Sequence, residues 1–291
     1  RHARLTPALL ARQIDALIAA RQGHLADKPV AEVARSIGRV AERLLDRQDD
    51  LRRRAVAGIT AVTGQSREMV ELTLDRMAAD WTESSLLELL RTEFGDPRAL
   101  DGFIARGGSL VRAYGQGLTV HVLSGNVVGV GVTSLIRSLL VKSATLGKSA
   151  VGEPVLPALF ARALYDEDPA LGSCIAVAYW PGGDEALEST ALSRADAVVA
   201  YGSADAVEAV RRRTPAGAVF LGYGHRVSFG VLAREAMSAS EAEAHAEDAA
   251  LAVSIFDQQG CVSPHLFFVE EGGEVAPADW AAMLARAMES V

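Results

Sequence analysis

The chain has 291 residues, of which 49% are hydrophobic and 23% are charged, and this composition excludes a globally disordered protein. The formal net charge of −8 argues against a dedicated nucleic-acid binder, which needs a basic surface. Two cysteines are too few for a disulfide scaffold or for a zinc site built from four cysteines.

The opening residues carry charges where a signal peptide would have an apolar core. No uncharged apolar run reaches the roughly 20 residues of a membrane-spanning helix. We therefore expect a cytoplasmic protein without a membrane span. Because the chain starts without Met and ends soon after a motif described below, we also expect it to be part of a longer chain.

Residues 1–110 are predicted to form a helical N-terminal region. Apolar residues recur at steps of four, three and four along one helical stripe, namely Val33, Ile37, Val40 and Leu44. Thr82 and Asp96 are candidate N-caps, and a proline at the first helical position follows Asp96. No pattern in this region indicates chemistry, so we predict that it provides packing or an interface.

Residues 111–250 alternate between strands and helices, which predicts an α/β fold with a parallel sheet covered on both faces. The predicted strands include 118–123, 174–179, 197–201 and 218–221. The predicted helices are 133–141, 156–165, 185–192, 204–212 and, leading out of the sheet, 240–255. Ligands bind beyond the carboxyl ends of such strands, so the loops after residues 123, 179 and 201 are the places to search for a site.

Asn126 follows the first of these strands, within Ser124-Gly125-Asn126. Its side-chain amide is a neutral donor, and at the carboxyl end of a strand such a donor can bond a developing oxyanion. When the segment is taken alone, the simpler interpretation is that Gly-Asn forms a turn.

Lys148 and three residues at glycine turns point to a ligand that contains phosphate. A lysine that leaves a strand end can reach a phosphate or a ribose, although most such lysines are simply solvated. Gly183 and the pair Gly202-Ser203 follow two successive strands, where helix N-termini offer backbone N–H groups to phosphates. Ordinary turn formation is the alternative, and the GxGxxG fingerprint is absent.

The run Arg211-Arg212-Arg213 ends the predicted helix 204–212. Positive charge is favourable at a helix C-terminus, and this is the simpler interpretation of the run. A contact with the 2′-phosphate of a cofactor is the alternative.

The two cysteines differ in their surroundings. Cys174 lies in an apolar strand and is interpreted as a small buried hydrophobe. Cys261 stands in the polar turn Asp-Gln-Gln-Gly-Cys, where an accessible thiol can attack an acyl carbonyl and leave again. A structural thiol at this turn is the alternative.

Three histidines complete the candidates for chemistry. His225 and His265 are candidates for polarising the Cys261 thiol or for moving a proton. Each of them alone is more typical of a hydrogen-bonded structural residue, and His121 within a strand is equally compatible with the core. One cysteine and scattered histidines do not predict a metal site.

Four segments taken together resemble the aldehyde dehydrogenase superfamily and, more narrowly, its LuxC-like acyl-CoA reductase branch. HVLSGNVVG is similar to that branch's counterpart of the PWN segment, and GKSAVGEP takes the place of KPSE. AYGSADAVEAV corresponds to FTGS with its helix, and DQQGCVSPHLFFVE corresponds to GQxC. Order and spacing agree over about residues 112–270.

The resemblance implies a fold and a domain organisation. The implied fold is a Rossmann-like parallel sheet of the aldehyde dehydrogenase type, with a helical N-terminal region and the start of a catalytic domain. The implied domains are a helical region over 1–110, a dinucleotide-binding domain over 111–250, and the truncated beginning of the catalytic domain over 251–291.

The resemblance also implies a role for each candidate residue. Cys261 matches the nucleophile that becomes acylated, and Asn126 matches the side chain that forms the oxyanion hole with the Cys261 backbone N–H. Lys148 matches the residue that holds the adenosine ribose or its 2′-phosphate. The glycine turns near the pyrophosphate and the adenosine of the cofactor are matched by Gly202, Ser203 and Gly183.

One departure from the superfamily concerns the base that activates water. Aldehyde-oxidising members carry a glutamate in the segment ELGGK, whereas the comparable stretch here, residues 221–226, is LGYGHR. The missing glutamate speaks against hydrolytic aldehyde oxidation and fits CoA or a protein thiol as the acyl partner. His225 in this stretch is the candidate for proton transfer.

The implied activity is the NADPH-dependent reduction of an acyl-CoA or acyl-carrier thioester to an aldehyde through a thioester on Cys261. NADP is the implied cofactor, with no metal, and the resemblance leaves room for an acyl-activating ligase as partner and for a homo-oligomer. Two alternatives stay open. One is an acyltransferase or thioesterase that uses the same cysteine without redox chemistry, and the other is a non-catalytic scaffold subunit.

Overall fold

The computed structural model describes residues 5–291, and internal contacts divide the chain into two compact units. The first unit ends at Gly224, and the second runs from His225 to Val291. The second unit has a hydrophobic core of its own. This division groups residues by contact, while the boundaries at 110 and 250 group them by expected function and stay a prediction.

In the described residues, the first unit begins with five α-helices: α1 (Pro7–Ala20), α2 (Val30–Leu45), α3 (Asp50–Thr63), α4 (Arg67–Asp80) and α5 (Glu83–Phe94). A π-helix, Arg21–Leu25, follows α1. The predicted apolar stripe lies on α2, and all four of its residues are buried. Thr82 caps α5 by accepting a hydrogen bond from the backbone N–H of Ser85, as predicted. Asp96 caps only a short 3₁₀ helix, Pro97–Leu100.

Seven strands follow: β1 (Ile104–Arg106), β2 (Ser109–Val111), β3 (Leu118–Val122), β4 (Ala144–Lys148), β5 (Ile175–Ala178), β6 (Ala197–Tyr201) and β7 (Val219–Tyr223). Strands β1 and β2 pair as a small antiparallel hairpin that the sequence analysis did not predict. The other five strands form a parallel sheet in the order β5-β4-β3-β6-β7. The predicted parallel sheet is therefore confirmed.

The connecting helices are α6 (Val130–Leu140), α7 (Val155–Glu167), α8 (Pro169–Gly172), α9 (Glu185–Leu192) and α10 (Ala204–Arg213). One apolar cluster joins α6 and α7 to the N-terminal helices α2–α5. A second cluster joins α1, α9 and α10 to the opposite face of the sheet. The N-terminal helices therefore share their cores with the sheet and its connecting helices.

The order of the strands creates a switch point between β3 and β6. From β3 the chain passes to β4 on one side of the sheet, whereas from β6 it passes to β7 on the other side. The strands end at the same edge, because Val122 pairs with Lys148 and Lys148 pairs with Ala178. Doubly wound sheets bind ligands at such a point, beyond the carboxyl ends of the strands.

The second unit contains β8 (Ser228–Leu232), α11 (Ala242–Ser254), β9 (Pro264–Val269) and α12 (Pro277–Met288). Strands β8 and β9 pair in parallel, and the indole of Trp280 packs in the core and donates to the carbonyl of Ala242. Helix α11 begins two residues later than the predicted helix over 240–255. Within residues 5–291, none of the helices combines the length and the apolar character needed to cross a bilayer.

Candidate active site

The loop after β3 carries Asn126 and packs tightly on the loop after β4. A Cβ atom at Gly125 would lie 2.6 Å from the backbone nitrogen of Glu153, so only glycine fits there without a shift. The side chain of Glu153 is buried and accepts hydrogen bonds from the first turn of α7. Asn126, the next residue after Gly125, is exposed at the carboxyl edge of the sheet.

Lys148 ends β4 and is half-buried. Its Nζ lies 5.8 Å from the centroid of the Trp180 ring. Burial lowers the pKa of Lys148, and the negative charge of Glu188 opposes this effect. Because the positive charge of Lys148 is partly desolvated, an anion at this place would be bound favourably.

Two buried polar atoms next to Lys148 have no hydrogen-bond partner among the described residues. They are Oγ of Ser149, the next residue in the chain, and Nε1 of Trp180. A buried donor without a partner costs about 1–3 kcal/mol, so a ligand or ordered water that reached it would be favoured. The Ser149 hydroxyl and the Trp180 indole N–H are therefore available to bind a ligand or an ordered water at this part of the sheet edge.

Gly183 lies in the turn between β5 and α9. Its φ of +85° favours glycine, and the space that a Cβ atom would enter is open. Its N–H donates to one carboxylate oxygen of Glu188 at 2.9 Å, and the other oxygen accepts from Nη1 of Arg213 at 2.8 Å. The sequence carries no signal for this role of Glu188, because a glutamate near the start of a helix is ordinarily explained by the helix dipole.

Gly202 and Ser203 form the turn between β6 and α10. Gly202 has a φ of +155° and donates its N–H to the carbonyl of Tyr223 at 3.2 Å. The hydroxyl of Ser203 accepts from the backbone N–H of Ala206 and so caps α10. This turn stands at the switch point, where the N-terminus of α10 favours negative charge.

A chain of hydrogen bonds joins Tyr201, Ser134 and His121, and no sequence motif indicates it. The hydroxyl of Tyr201 donates to Oγ of Ser134 at 3.1 Å, and Oγ of Ser134 lies 2.8 Å from Nδ1 of His121. The chain links β6, α6 and β3. Tyr201 also stacks on Tyr223 with ring centroids 4.9 Å apart. His121 is buried, which agrees with the interpretation that it belongs to the core.

Burial of His121 makes the stability of the protein depend on pH. Burial lowers the pKa of His121 to about 3, whereas an unfolded histidine titrates near ~6.5. Below pH ~6.5 the unfolded state binds a proton that the folded state excludes, so stability is full above that pH and is lost as the pH falls towards 3. Between pH 7.5 and pH 5 we expect the free energy of unfolding to fall by about 2 kcal/mol more in the wild type than in His121→Asn.

Urea unfolding at the two pH values measures this difference. Asparagine keeps a hydrogen-bonding group for Ser134 but does not titrate in this range. His24→Asn, at an exposed position, serves as the control and should follow the wild type. Equal losses in His121→Asn and in the wild type would contradict the assignment.

Cys261 belongs to the second unit, in the turn before β9, and is exposed. Its carbonyl oxygen accepts a hydrogen bond from the hydroxyl of Ser228 at 2.6 Å. A Cβ atom at Gly260 would lie 2.8 Å from Oγ of Ser263, so this turn is built around a glycine. Three residues just before it have left-handed backbone conformations, namely Phe256, Asp257 and Gln258. The turn is therefore sharply bent and presents the thiol to solvent.

The other cysteine and the two candidate histidines have different surroundings. Cys174 is buried, and desolvation raises the pKa of its thiol to about 11, so it is not a nucleophile near neutral pH. His225 and His265 are exposed, and within residues 5–291 no hydrogen bond joins either of them to Cys261. In the same part of the chain no three metal-binding side chains lie together.

The structure thus distributes the candidate residues over both units. One edge of the five-stranded sheet brings together the loops and turns that carry Asn126, Lys148, Gly183, Gly202 and Ser203. The second unit holds Cys261 and His225.

Comparison with known proteins identifies a family. A family model described as acyl-CoA reductase (LuxC) matches residues 25–291. A long-chain acyl-protein thioester reductase from Vibrio harveyi is 32% identical over 217 residues, which make up 73% of this chain and 45% of the relative. A long-chain acyl-protein thioester reductase from Photorhabdus luminescens is 28% identical over 233 residues, or 77% of this chain and 47% of that protein. The chain spans about half the length of the curated relatives it matches.

Comparison with solved structures agrees on the fold. An NAD-dependent benzaldehyde dehydrogenase from Corynebacterium glutamicum matches with a TM-score of 0.76 at 18% identity, over 99% of this chain and 60% of the other. Aldehyde dehydrogenase C from Pseudomonas syringae, solved with NAD⁺ and octanal, matches with a TM-score of 0.77 at 16% identity, over 98% and 55%. These matches confirm the Rossmann-like fold of the aldehyde dehydrogenase type.

Proposed function

Because the chain belongs to the LuxC family of acyl-CoA reductases, we propose that it takes part in reducing an activated acyl group to an aldehyde. The observation that carries the proposal is the exposed Cys261, presented by a tight glycine turn next to β9. The relatives are named long-chain acyl-protein thioester reductases, and this supports a long acyl chain carried as a protein thioester. An acyl-CoA is the other donor within the proposal.

The proposed first step transfers the acyl group to Cys261. The thiolate of Cys261 attacks the acyl carbonyl, a new S–C bond forms, and the bond to the sulfur of the carrier breaks. The acyl carrier leaves as a thiol and takes up the proton that Cys261 gave up. We propose that His225 transfers this proton. The amide N–H of Asn126 donates to the oxyanion of the tetrahedral intermediate, and this role comes from the resemblance.

A nicotinamide dinucleotide, which we propose to be NADPH, would supply the hydride that releases the acyl group as an aldehyde. The residues at the sheet edge fit such a group. Gly202 and the N-terminus of α10 suit the pyrophosphate, and the half-buried Lys148 suits the adenosine ribose or its 2′-phosphate. The open space at Gly183 leaves room for the adenosine.

The stretch 221–226 supports reduction rather than hydrolysis. It contains the end of β7 and the start of the second unit, and it carries no carboxylate that could deprotonate water near an acyl group on Cys261. Base catalysis contributes about 10²–10⁴ in rate, so the acyl-enzyme should persist in water until a thiol or a hydride reaches it.

The proposal has further parts. It includes an acyl-activating ligase that delivers the acyl group, self-association and a cytoplasmic location. It also assigns residues 111–250 to the domain that binds the cofactor and residues 251–291 to the domain that carries Cys261.

Intact-mass analysis of the whole protein tests the function. The protein is mixed with a panel of acyl-CoA thioesters that differ in chain length, and NADPH is then added. We expect one acyl mass to appear and then to disappear with the release of aldehyde. An adduct that NADPH leaves unchanged, while a thiol or water removes it, would favour the acyltransferase or thioesterase. No adduct with any donor would favour the scaffold subunit.

Replacement of Lys148 tests the proposed cofactor site. Lys148→Ala should weaken NADPH binding about tenfold or more, since a hydrogen bond to a charged group is worth roughly 1.5–3 kcal/mol. Acylation of Cys261 should stay normal in this variant, because Lys148 has no part in that step. Fluorescence titration with NADPH measures the affinity. Lys28→Ala serves as the control and should leave the affinity unchanged, because the ammonium of Lys28 pairs with Asp168. An unchanged NADPH affinity in Lys148→Ala would remove Lys148 from the site.

A further inference from the structure

Glu153 lies in the loop after β4 and caps the helix that follows this loop. It is 5% exposed, and Oε1 of its carboxylate accepts hydrogen bonds from the backbone N–H groups of Val155 at 2.9 Å and of Leu156 at 2.7 Å. Burial raises the pKa of Glu153, and the two hydrogen bonds oppose this effect. A buried carboxylate is costly unless its charge is compensated, and here the first turn of α7 compensates it.

Helix α7 is itself fixed in the core of the first unit. Leu156 and Phe160 are fully buried in the apolar cluster that includes the N-terminal helices. Val155, in the first turn, lies so close to α3 that a Cβ atom at Gly58 would stand 2.8 Å from one of its methyl groups. Because the start of α7 is held in this way, the cap that Glu153 provides also fixes the end of the loop 149–153.

The loop after β3 rests on this fixed loop through backbone atoms. A Cβ atom at Gly125 would lie 2.6 Å from the backbone nitrogen of Glu153, and a Cβ atom at Gly152 would lie 3.0 Å from the carbonyl oxygen of Gly125. Close-packed groups of this kind transmit a displacement from one to the next. Asn126 directly follows Gly125, so a shift of the loop at Glu153 reaches its backbone.

We propose that Glu153 is a positioning residue for acyl transfer: its hydrogen bonds hold the loop after β4 at the start of α7, and this loop holds the amide of Asn126 where the oxyanion forms. The inference rests on the proposed function, in which that amide donates to the oxyanion. A misplacement of about 1 Å can slow a reaction by about 10², so the support behind the donor matters. The role requires no contact between Glu153 and the substrate or the cofactor.

Two substitutions test the hydrogen bonds of Glu153. Glu153→Ala removes the acceptor for the N–H groups of Val155 and Leu156, whereas Glu153→Gln keeps an acceptor oxygen there. Acylation of Cys261 is followed by mass spectrometry in single turnovers over a range of acyl-CoA concentrations. We expect the maximal rate to fall about tenfold to hundredfold in Glu153→Ala and to return to within about threefold of the wild type in Glu153→Gln. The half-saturating concentration of acyl-CoA should stay nearly unchanged in both variants.

A double-mutant cycle shows whether Glu153 acts through Asn126. In the Asn126→Ala background the amide to be positioned is gone, so adding Glu153→Ala should slow acylation by no more than about twofold further. Losses that multiply would overturn the inference, because Glu153 would then act on acylation by another route. A Glu153→Gln variant as slow as Glu153→Ala would overturn it as well, since the hydrogen bonds would not be what positions the amide.

Two further measurements control for a general loss of structure. Asp49 caps α3 by accepting from the N–H of Leu51, and Asp49→Ala should leave the rate of acylation unchanged. NADPH binding should stay normal in Glu153→Ala, because pairing with β3 and β5 holds Lys148 in β4. If the affinity for NADPH fell as much as the rate of acylation, Glu153 would support the whole sheet edge, and the inference would be overturned.

If Glu153→Ala does not fold, Gly125→Ala decides. The added Cβ atom forces the two loops apart at the same contact, whereas at Gly217 a Cβ atom meets nothing within 4 Å. A rate that is lowered in Gly125→Ala, normal in Gly217→Ala and no lower when Gly125→Ala is combined with Asn126→Ala supports the inference, and any other result overturns it. A wild type that forms no adduct with any donor would overturn the proposed function, while a normal rate in Glu153→Ala beside a slow Asn126→Ala would overturn the inference alone.

Discussion

Replacement of Cys261 by alanine should abolish the formation of an acyl adduct on the protein. A thioester forms only where a thiolate can reach the acyl carbonyl, and alanine has no nucleophilic atom. Cys261 is exposed in a turn whose glycine packs closely against Ser263, so the thiol is presented to solvent. Intact-mass analysis after incubation with a suitable acyl-CoA should show one added acyl mass in the wild type and none in Cys261→Ala.

The second cysteine supplies the control for this experiment. Cys174 is buried, and desolvation raises the pKa of its thiol to about 11, so it carries almost no thiolate near neutral pH. Cys174→Ala should therefore keep the adduct. If the adduct persisted in Cys261→Ala, the proposed mechanism would be wrong at its first step. Peptide mapping of that adduct would then identify the nucleophile.

The sequence predicted the elements whose signals are local. The stripe on α2 and the strand β6 have regular apolar patterns, and the structure buries them as predicted. Strand β4 is not among the predicted strands, because Gly147 within it lowers the preference of the segment for a strand. Pairing with β3 and β5 on both sides makes it a strand, and that pairing is a tertiary contact.

The second unit was harder to predict for the same reason. Strand β8 contains Gly230, where a Cβ atom would lie 2.3 Å from the ring of Phe267 on β9. In the sequence alone, a glycine in the middle of a short segment favours a loop. Only the folded structure shows that the ring of Phe267 leaves no room for a side chain at this position. Helix α12 is also absent from the predicted elements, and its Trp280 is buried in the core of the second unit.

Within the candidate site, the sequence indicates the residues that resemble a motif, but it does not indicate the residues that contact them. Lys148 and Gly183 stand at strand ends, where parallel sheets bind ligands, so position alone drew attention to them. Glu188 and His121 show no motif, and their importance depends on contacts across the fold with Arg213 and Ser134. Glu188 does reach back to the N–H before the N-cap of α9, which is the pattern of a capping box shifted by one residue.

The second large effect is expected at Asn126. If its amide donates to the oxyanion, Asn126→Ala should slow acylation of Cys261 by about 10²–10³, the usual effect of losing one such donor. NADPH binding should stay nearly unchanged, because the resemblance gives this side chain no contact with the cofactor. The rate of acyl transfer, followed by mass spectrometry under single-turnover conditions, measures the loss.

A second substitution separates this role from turn formation. Aspartate and asparagine both suit a turn, and they have nearly the same shape, but ionised aspartate lacks the N–H donor and adds a negative charge. Asn126→Asp should therefore be at least as slow as Asn126→Ala, although the loop packed on Gly152 and Glu153 stays intact. Normal acylation in Asn126→Asp would show that the residue only shapes the turn after β3, and that another group stabilises the oxyanion.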